Sequence, residues 1–282
     1  MDRVRCMPLV SATRAPVATR RRGGGAYTAR MPPDAPVQVV FADPAMLLAG
    51  GDALPDALDE DDRRHVARLR HARDRTVAGA SRLVQRLAVA RAAGHGPQAA
   101  ASLRFVRDAN GRPRVDAPAA LQGWHFSASN AHGLVGCAVA RAPLGLDVEP
   151  LARALAPELL AHCCTAGERD ALQALAPDAR PAAFFRLWTR KEAYLKARGL
   201  GLSIEPARVE LARVDARRHA VRLDGCAQAA GAWQVLALDA GPAHAASLCV
   251  PAGAVATGVE IAWARRAGDG VVFGPSAPHA AG

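Results

Sequence analysis

Long apolar runs and paired cysteines are both missing from this chain of 282 residues, and each absence excludes a class of protein. No apolar run approaches the ~20 residues that a membrane-spanning helix requires, and the first thirty residues are rich in arginine but lack the apolar stretch of a secretory signal. The six cysteines show no Cys-x-x-Cys spacing and no disulfide-scaffold density, so we expect reduced thiols. The sequence therefore predicts a cytoplasmic protein without membrane insertion.

Aromatic residues are also few, which weighs against nucleic-acid binding. The formal net charge is +10, but residues 1–30 contain seven arginines against one acid and so account for +6, which leaves +4 for the rest of the chain. That remainder suits a local anionic ligand better than a polyanion. The 6 Phe, 4 Trp and 2 Tyr do not cluster with arginines as a base-stacking platform would. Nucleic-acid binding through the arginine-rich leader is therefore kept only as an alternative.

The two ends of the chain differ in composition from the part between them. Residues 1–36 combine an arginine run, a glycine run and adjacent prolines without periodicity, which predicts a disordered leader. Residues 263–282 are rich in Gly, Pro and Ala and are predicted to form a disordered tail. The apolar half of the composition suffices for one large domain or two small ones. We divide the remainder into an N-terminal lobe, 37–145, and a C-terminal lobe, 146–262.

Two long helical patterns, each accompanied by short apolar strands, predict an α+β fold. One helix is expected over 74–93 from apolar residues at steps of three and four, and the other between Pro181 and the C-cap Gly199. Segments 135–139 and 246–251 are similar, which favours two similar, pseudo-symmetric α/β lobes. Further helices are predicted within 55–73 and over 157–175, and strands over 37–41, 103–106, 124–126, 134–140, 146–149, 234–238 and 247–250 and near 209 and 221, with 134–140 and 146–149 forming a hairpin.

Asp147 and Glu149 are the first candidates for chemistry. They are separated by one residue on a predicted strand, so both side chains leave the same face with their α-carbons ~6.6 Å apart. Two carboxylates on one face can share a divalent cation, and hard oxygen ligands suit Mg²⁺. A solvated strand edge is the alternative explanation. Small or apolar neighbours and the following Pro150 place the two acids at the mouth of a buried element, which favours a metal site.

The helix that begins near Pro181 carries both lysines of a chain that otherwise uses arginine. At 100° per residue, Glu192 and Lys196 lie together on the flank of an apolar arc, whereas Lys191 falls inside that arc. A stabilising Glu–Lys pair and a snorkelling lysine would explain the pattern without any function. A buried Lys191 would need an anionic partner nearby, so Lys191 is also a candidate site residue.

Two arginines are candidates for binding phosphate. Arg112 follows a turn glycine and precedes Pro113, and a guanidinium held at such a turn can bind a phosphate with two hydrogen bonds. Arg75 lies in the first turn of the helix predicted over 74–93. Most turns and helix ends of this kind bind nothing, so neither arginine is diagnostic by itself.

Taken together, segment 145–149 (Gly-Leu-Asp-Val-Glu) and segment 185–196 (Phe-x-x-Trp-Thr-x-Lys-Glu-Ala-x-x-Lys) resemble the two signature motifs of the 4′-phosphopantetheinyl transferases. The order and spacing most resemble the larger, two-lobed surfactin-type branch, and the resemblance covers about residues 37–262. It implies an enzyme with its active site between two lobes. Such an enzyme transfers the phosphopantetheine arm of coenzyme A to a serine of an apo acyl or peptidyl carrier protein and releases 3′,5′-ADP.

The resemblance implies roles for the residues of the two motifs. Asp147, Glu149 and Glu192 would hold Mg²⁺ against the pyrophosphate of coenzyme A. Either Glu192, which we favour slightly, or Glu149 would take the proton from the carrier serine. Lys196 would stabilise charge on the departing phosphate, and Lys191 would brace the acidic cluster at the cofactor site.

The resemblance also implies which residues bind coenzyme A. Arg75 and Arg112 match positions that contact its phosphates. Asn130 stands where the family usually has a phosphate-binding histidine, and asparagine can donate a hydrogen bond but carries no positive charge. We therefore expect nucleotide affinity either to be reduced or to be supplied partly by His132. A weakened homologue that binds carrier proteins without modifying them is a further alternative.

The partner implied by the resemblance is an acidic carrier protein. A mildly basic enzyme surface would steer its encounter with the acidic helix beside the carrier serine. By analogy with two-lobed relatives of this length, we expect a monomer.

Overall fold

The computed structural model describes residues 35–49, 56–108, 112–199, 204–223, 233–254 and 258–276. Twelve strands and six α-helices lie in these ranges, in an α+β arrangement. The strands are β1 (Val37–Ala42), β2 (Arg104–Arg107), β3 (Pro113–Ala117), β4 (His125–Ala131), β5 (Leu134–Ala140), β6 (Gly145–Pro150), β7 (Val209–Arg213), β8 (Arg218–Leu223), β9 (Trp233–Leu238), β10 (His244–Pro251), β11 (Val259–Ala267) and β12 (Gly270–Gly274). The helices are α1 (Pro44–Leu47), α2 (Glu60–Ala67), α3 (Ala72–Ala92), α4 (Pro157–Cys163), α5 (Ala166–Gln173) and α6 (Arg180–Arg198).

The two main sheets share one pattern of strand neighbours. The first has the order β12-β11-β1-β5-β4 and the second the order β6-β10-β9-β8-β7. In the first sheet, β1 precedes α3 and pairs antiparallel with β5, which pairs antiparallel with β4. In the second sheet, β6 precedes α6 and pairs antiparallel with β10, which pairs antiparallel with β9. The order β1-β5-β4 therefore corresponds to β6-β10-β9. Helix α3 packs on β1 and β5, and α6 packs on β6 and β10. The pseudo-symmetric arrangement predicted from the sequence is therefore present.

Apolar side chains hold each long helix on its sheet. On α3, residues at steps of three and four, including Ala80, Leu83, Val84 and Leu87, are fully buried against β1 and β5. On α6, the stretch from Ala193 to Ala197 packs against apolar residues of β7 to β10. Helix α6 ends at Gly199, whose φ of 68° lies in the left-handed region that favours glycine.

A buried arginine connects α2, α3 and the segment before β2. Arg86 is 1% exposed, and its guanidinium donates to the carboxylates of Asp59 and Asp62 and to the carbonyl oxygen of Leu103. Asp59 is also the N-cap of α2. The early acids of this polar helix thus serve a buried ion pair as well as the helix dipole, which the sequence pattern alone did not indicate.

Hydroxyl groups join the two sheets at their facing edges. β4 is the edge of the first sheet and β6 is the edge of the second. The backbone N–H of Leu146 donates to Ser127 Oγ at 3.0 Å, and that of Val148 donates to Ser129 Oγ at 3.3 Å. Two serines of β4 therefore accept hydrogen bonds from backbone N–H groups at the edge of β6, and they hold this strand beside the first sheet.

The structure corrects three predictions from the sequence. Strands β5 and β6 do not form a hairpin, because each pairs within a different sheet. The helix expected over 157–175 is two helices, α4 and α5, separated at Cys164 and the capping residue Thr165. The tail expected over 263–282 is wrong as far as Gly274, because these residues complete β11 and form β12. β11 pairs parallel with β1, so the chain returns to the first sheet and does not end with the second lobe.

Other predictions fall partly outside the described ranges. Of the predicted leader only residues 35 and 36 are described, and the turn at 110–111 lies outside the described residues, as do residues 277–282. Within the described residues, no helix combines the length and apolar character needed to cross a bilayer.

Candidate active site

A glycine allows α6 to lie directly on β6. A Cβ atom built at Gly145 would lie 2.0 Å from the carbonyl oxygen of Ala193 and 2.5 Å from the backbone nitrogen of Ala197. No larger residue fits without moving the helix. This close approach brings the side chains of the motif on β6 next to those of the motif on α6.

Asp147, Ser129 and Lys196 form one hydrogen-bonded cluster across the two lobes. Asp147 is 5% exposed, and its Oδ1 accepts from Ser129 Oγ at 3.0 Å and from Lys196 Nζ at 2.7 Å. Lys196 Nζ also donates to Ser129 Oγ at 3.0 Å and to the carbonyl oxygen of Leu146 at 3.2 Å. The ammonium group therefore has three acceptors, all from β4 and β6. Ser129 was not among the residues singled out from the sequence, because its partners are distant along the chain.

The three carboxylates of the two motifs influence one another. Burial raises the pKa of Glu192, and the charges of Asp147 and Glu149 raise it further against the opposing effect of Lys196. Burial and the charge of Asp147 likewise raise the pKa of Glu149, while Arg153 opposes them. The pKa of Asp147 itself is raised by burial, with Lys196 and Ser129 opposing. The charge of Asp147 thus acts on both Glu149 and Glu192.

The carboxylates of this cluster have the chemistry that a divalent cation requires. Asp147 Oδ2 is buried and has no hydrogen-bond partner among the described residues. The carboxylates of Glu149 and Glu192 lie close enough to Asp147 for its charge to raise their pKa values. Unpaired carboxylate oxygens are the ligands that Mg²⁺ prefers. However, no group of three or more His, Cys, Asp or Glu side chains within the described residues has the separations of an assembled metal site. The chemistry of the donors fits Mg²⁺, while the expected three-carboxylate arrangement is not preassembled.

A cavity of about 850 Å³ opens beside this cluster, lined by residues of both lobes. Its lining among the described residues includes five arginine or lysine side chains against one acid, Asp74. Apolar side chains such as Val77 and Phe126 line the rest of the wall. A cavity with this charge balance suits a ligand with several anionic groups and an apolar part. The cationic lining residues are Arg73, Arg82, Arg107, Arg112 and Lys196.

Three of the predicted coenzyme A ligands line this cavity together with Lys196. Arg112, Asn130 and His132 all contribute to its wall. The guanidinium of Arg112 lies against the end of α6, since a Cβ at Gly199 would meet its Nη1 at 3.1 Å. Burial lowers the pKa of Arg112, and the carboxylate of Asp108 opposes this shift.

Two predicted ligands are placed elsewhere. The guanidinium of Arg75 donates to the carbonyl oxygens of Leu69 and Arg70, so it stabilises the segment before α3. Its near neighbour Arg73, which was not predicted from the sequence, lines the cavity instead. A shift of two residues on a helix turns a side chain by about 200°, and no composition pattern separates these two arginines.

Lys191 does not brace the acidic cluster. Its Nζ donates to Glu168 Oε2 at 2.5 Å and to the carbonyl oxygens of Cys163 and Pro206 at 2.9 and 3.0 Å. The side chain is fully buried. The anionic partner expected for a buried lysine is thus present, but it is Glu168 of α5, so Lys191 has a structural position and does not line the cavity.

Comparisons with known proteins agree with this geometry. Residues 143–249 match the family model of the 4′-phosphopantetheinyl transferase superfamily. A 4′-phosphopantetheinyl transferase of Bacillus subtilis is 29% identical over 167 residues, which cover 58% of this chain and 70% of the relative. The 4′-phosphopantetheinyl transferase gsp of Aneurinibacillus migulanus is 31% identical over 103 residues, which cover 36% of this chain and 41% of the relative.

The matched region contains the candidate site. It runs from the turn before β6 into β10 and includes all three carboxylates and both lysines. The crystal structure of Thermotoga maritima holo-[acyl-carrier-protein] synthase shows a slight likeness, with a TM-score of 0.31 and 19% identity over 39% of this chain and 62% of that chain. Motifs, family model and relatives agree: over residues 143–249 the chain is similar to the 4′-phosphopantetheinyl transferase superfamily, and its motifs resemble those of the surfactin-type branch.

Proposed function

We propose that this protein transfers the 4′-phosphopantetheine arm of coenzyme A to a serine of an apo acyl or peptidyl carrier protein, with Mg²⁺, and releases 3′,5′-ADP. The observation that carries the proposal is the cluster of Asp147, Ser129 and Lys196 beside the cationic cavity between the lobes. Similarity to the 4′-phosphopantetheinyl transferase superfamily over residues 143–249 supports the transfer chemistry. The cavity would bind the nucleotide, and the carboxylates of β6 and α6 would face the reacting phosphate.

Glu192 is the better candidate for the base that deprotonates the carrier serine. Glu149 Oε2 accepts a hydrogen bond from Arg153 Nη1 at 3.1 Å, so part of its basicity is neutralised. The side chain of Glu192 forms no hydrogen bond or ion pair with another described residue, so its carboxylate has a lone pair available to accept the serine proton. The serine oxygen would attack the β-phosphate once its proton has moved to Glu192.

Lys196 would stabilise the phosphate that leaves with 3′,5′-ADP. Its ammonium group lines the cavity and is held by Asp147, Ser129 and the carbonyl oxygen of Leu146. A positive charge fixed in this way before the reaction is well suited to stabilise charge that develops in the transition state. Contact with the departing phosphate would require exchange of at least one of these three acceptors.

Asp147, Glu149 and Glu192 would hold the magnesium ion. When bound, the ion would neutralise charge on the pyrophosphate and polarise the phosphorus–oxygen bond that breaks. Asp147 Oδ2 is the available oxygen, because Oδ1 is engaged by Lys196 and Ser129. Burial raises the pKa values of Glu149 and Glu192, and the charge of Asp147 raises both further, so a cation held by these carboxylates would stabilise their charged forms.

The partner is proposed to be an acidic carrier protein that meets a monomeric enzyme. Outside residues 1–30 the chain carries a formal net charge of +4, and this mildly basic balance would steer an acidic helix toward it. The alternative of nucleic-acid binding depends on the leader, of which residues 1–34 lie outside the described ranges.

The test is incubation of the protein with coenzyme A, Mg²⁺ and a panel of apo carriers from fatty-acid, polyketide, nonribosomal-peptide and siderophore systems. Intact mass spectrometry should show addition of phosphopantetheine to at least one carrier, and chromatography should show an equal amount of 3′,5′-ADP. A carrier with its serine replaced by alanine and a reaction with EDTA are the controls. Glu192→Gln should reduce the rate by about 100-fold or more, since general base catalysis contributes 10²–10⁴-fold.

Two outcomes would contradict the proposal. Binding of apo carriers without addition to any of them would favour the weakened homologue. Salt-dependent nucleic-acid binding that disappears on removal of residues 1–30, in a protein inactive on every carrier, would favour the leader-based alternative.

A further inference from the structure

The first turn of α3 and the turn between β4 and β5 form one wall of the cavity. Arg73 comes from α3, Asn130 from the end of β4, and His132 from the turn. Asn130 can donate a hydrogen bond to an anion but contributes no charge. Lys196, on another wall, already has a carboxylate partner in Asp147. The positive charge on this wall therefore depends on Arg73.

The guanidinium of Arg73 is held in place without being neutralised. Its Nη2 donates to His132 Nδ1, which makes the ring an acceptor at Nδ1 and so places a proton at Nε2 of a neutral ring. No carboxylate among the described residues pairs with Arg73. An arginine bound only by a neutral partner keeps its full charge and its remaining N–H groups for a ligand.

His132 is itself fixed by the second lobe. Its carbonyl oxygen accepts a hydrogen bond from His244 Nε2 at 2.7 Å, and His244 begins β10. Gly133, with a φ of 78°, completes the turn, and a Cβ there would lie 3.7 Å from His244 Cε1. The chain of contacts Arg73–His132–His244 thus connects α3 to β10, and it preorganises the guanidinium at the cavity wall.

We propose that Arg73, positioned by His132, is a phosphate-binding residue of this cavity and supplies the positive charge that Asn130 lacks. The inference rests on the proposed function, because it takes the phosphates of coenzyme A as the ligand. His132 is a positioning residue: it accepts from Arg73 and does not need to be protonated. This differs from the expectation that His132 itself supplies the missing charge.

The first experiment measures coenzyme A binding by isothermal titration calorimetry, without a carrier protein. Arg73→Gln should weaken binding by about 10- to 100-fold, the range for loss of a hydrogen bond to a charged group. The matched control is Arg68→Gln, an exposed arginine at the C-cap of α2 that does not line the cavity, and it should bind coenzyme A as the parent does. Circular dichroism and thermal unfolding establish that each variant is folded. Unchanged affinity in folded Arg73→Gln would overturn the proposal.

Dephospho-coenzyme A, which lacks the 3′-phosphate, identifies the phosphate involved. If Arg73 contacts the 3′-phosphate, Arg73→Gln should discriminate less between the two ligands than the parent does. If it contacts the pyrophosphate, both ligands should lose affinity equally. Either result supports a phosphate contact. If Arg73→Gln binds both ligands as tightly as the parent does, the proposed contact is contradicted.

A double variant tests whether the two positions serve the same ligand. Asn130→His in the Arg73→Gln background should recover part of the lost affinity, most strongly below about pH 6.5, where an unperturbed histidine is protonated. A double variant that binds no better than Arg73→Gln would contradict the compensation. Failure of the proposed function gives a different result, since the parent protein would then modify no carrier even if Arg73 binds phosphate.

Discussion

Ser129 is the residue on which the site most depends, although it carries no charge. Its hydroxyl contacts Asp147, Lys196 and the backbone N–H of Val148, so it links the carboxylate, the ammonium and the edge of β6. A serine in an apolar strand gives no signal of such a role in a sequence. Its three partners become neighbours only when β4 and β6 lie side by side.

Ser129→Ala should therefore reduce transfer more than it reduces stability. We expect kcat to fall by about 10- to 100-fold while the free energy of unfolding falls by about 1–3 kcal/mol, the cost of leaving buried polar groups without a partner. Ser127→Ala is the matched control, because Ser127 makes the equivalent bond to the backbone of Leu146 but contacts neither Asp147 nor Lys196. Steady-state kinetics and urea unfolding measure the two effects. Equal losses of kcat in both variants would contradict the positioning role.

Arg86 is expected to affect the stability of the fold, as Ser129 is expected to affect the site. Arg86→Met removes a fully buried guanidinium and leaves the carboxylates of Asp59 and Asp62 without it, so we expect a loss of about 3–5 kcal/mol. Arg82→Met is the comparison: Arg82 contacts Asp62 at 3.6 Å and is more exposed, so its removal should cost about 1 kcal/mol or less. Chemical denaturation measures both values. A small effect of Arg86→Met would show that the buried pair is replaceable by apolar packing.

At the scale of elements, the contact between α6 and β6 decides whether the two motifs meet. Gly145→Ala would place a methyl group 2.0 Å from the carbonyl oxygen of Ala193, so the helix must move away from the strand. We expect a loss of about 3 kcal/mol or more, together with loss of transfer. Gly167→Ala in α5 is the control, since nothing lies within 4 Å of the added atom and alanine favours a helix. Thermal unfolding of both variants separates the outcomes; a neutral Gly145→Ala would contradict the close packing.

Local patterns allowed many of the elements to be predicted from the sequence, but not their pairing. The 3.6-residue pattern of α3 and the proline and glycine at the ends of α6 are local signals, and both helices lie within two residues of their predicted bounds. The assignment of β5 and β6 to different sheets depends on their pairing with β1 and β10, whose residues lie about 100 positions away along the chain, such as Ser247 opposite Asp147. No local signal carries that information, so a hairpin was the simpler but wrong expectation.

The same distinction holds for the candidate site. Asp147, Glu149, Glu192 and Lys196 were predicted because their spacing within each motif is local. Lys191 was misplaced because its partner Glu168 lies on another helix. A buried lysine signals that a partner exists but not which one it is.

At the scale of the whole molecule, β11 and β12 are needed to complete the first sheet. A chain that stops after residue 258 loses the parallel partner of β1 and the packing of Trp263 on Phe41. We expect it to lose the cooperative unfolding transition of the first lobe and to become sensitive to protease. A chain that stops after Ala267 loses only the edge strand β12 and should remain folded. Limited proteolysis compares the two truncations, and resistance of the shorter chain would refute the requirement.

The pairing of β1 with β11 also constrains how the protein is made. During synthesis on the ribosome, the segment that becomes β1 emerges early and must wait until more than 200 further residues have been translated before its neighbour is available. The second sheet, by contrast, can assemble once β10 has emerged, since all of its strands lie between residues 145 and 251. The lobe encoded later is thus able to fold first, and the nascent N-terminal half is the part that remains without its sheet partner for longer.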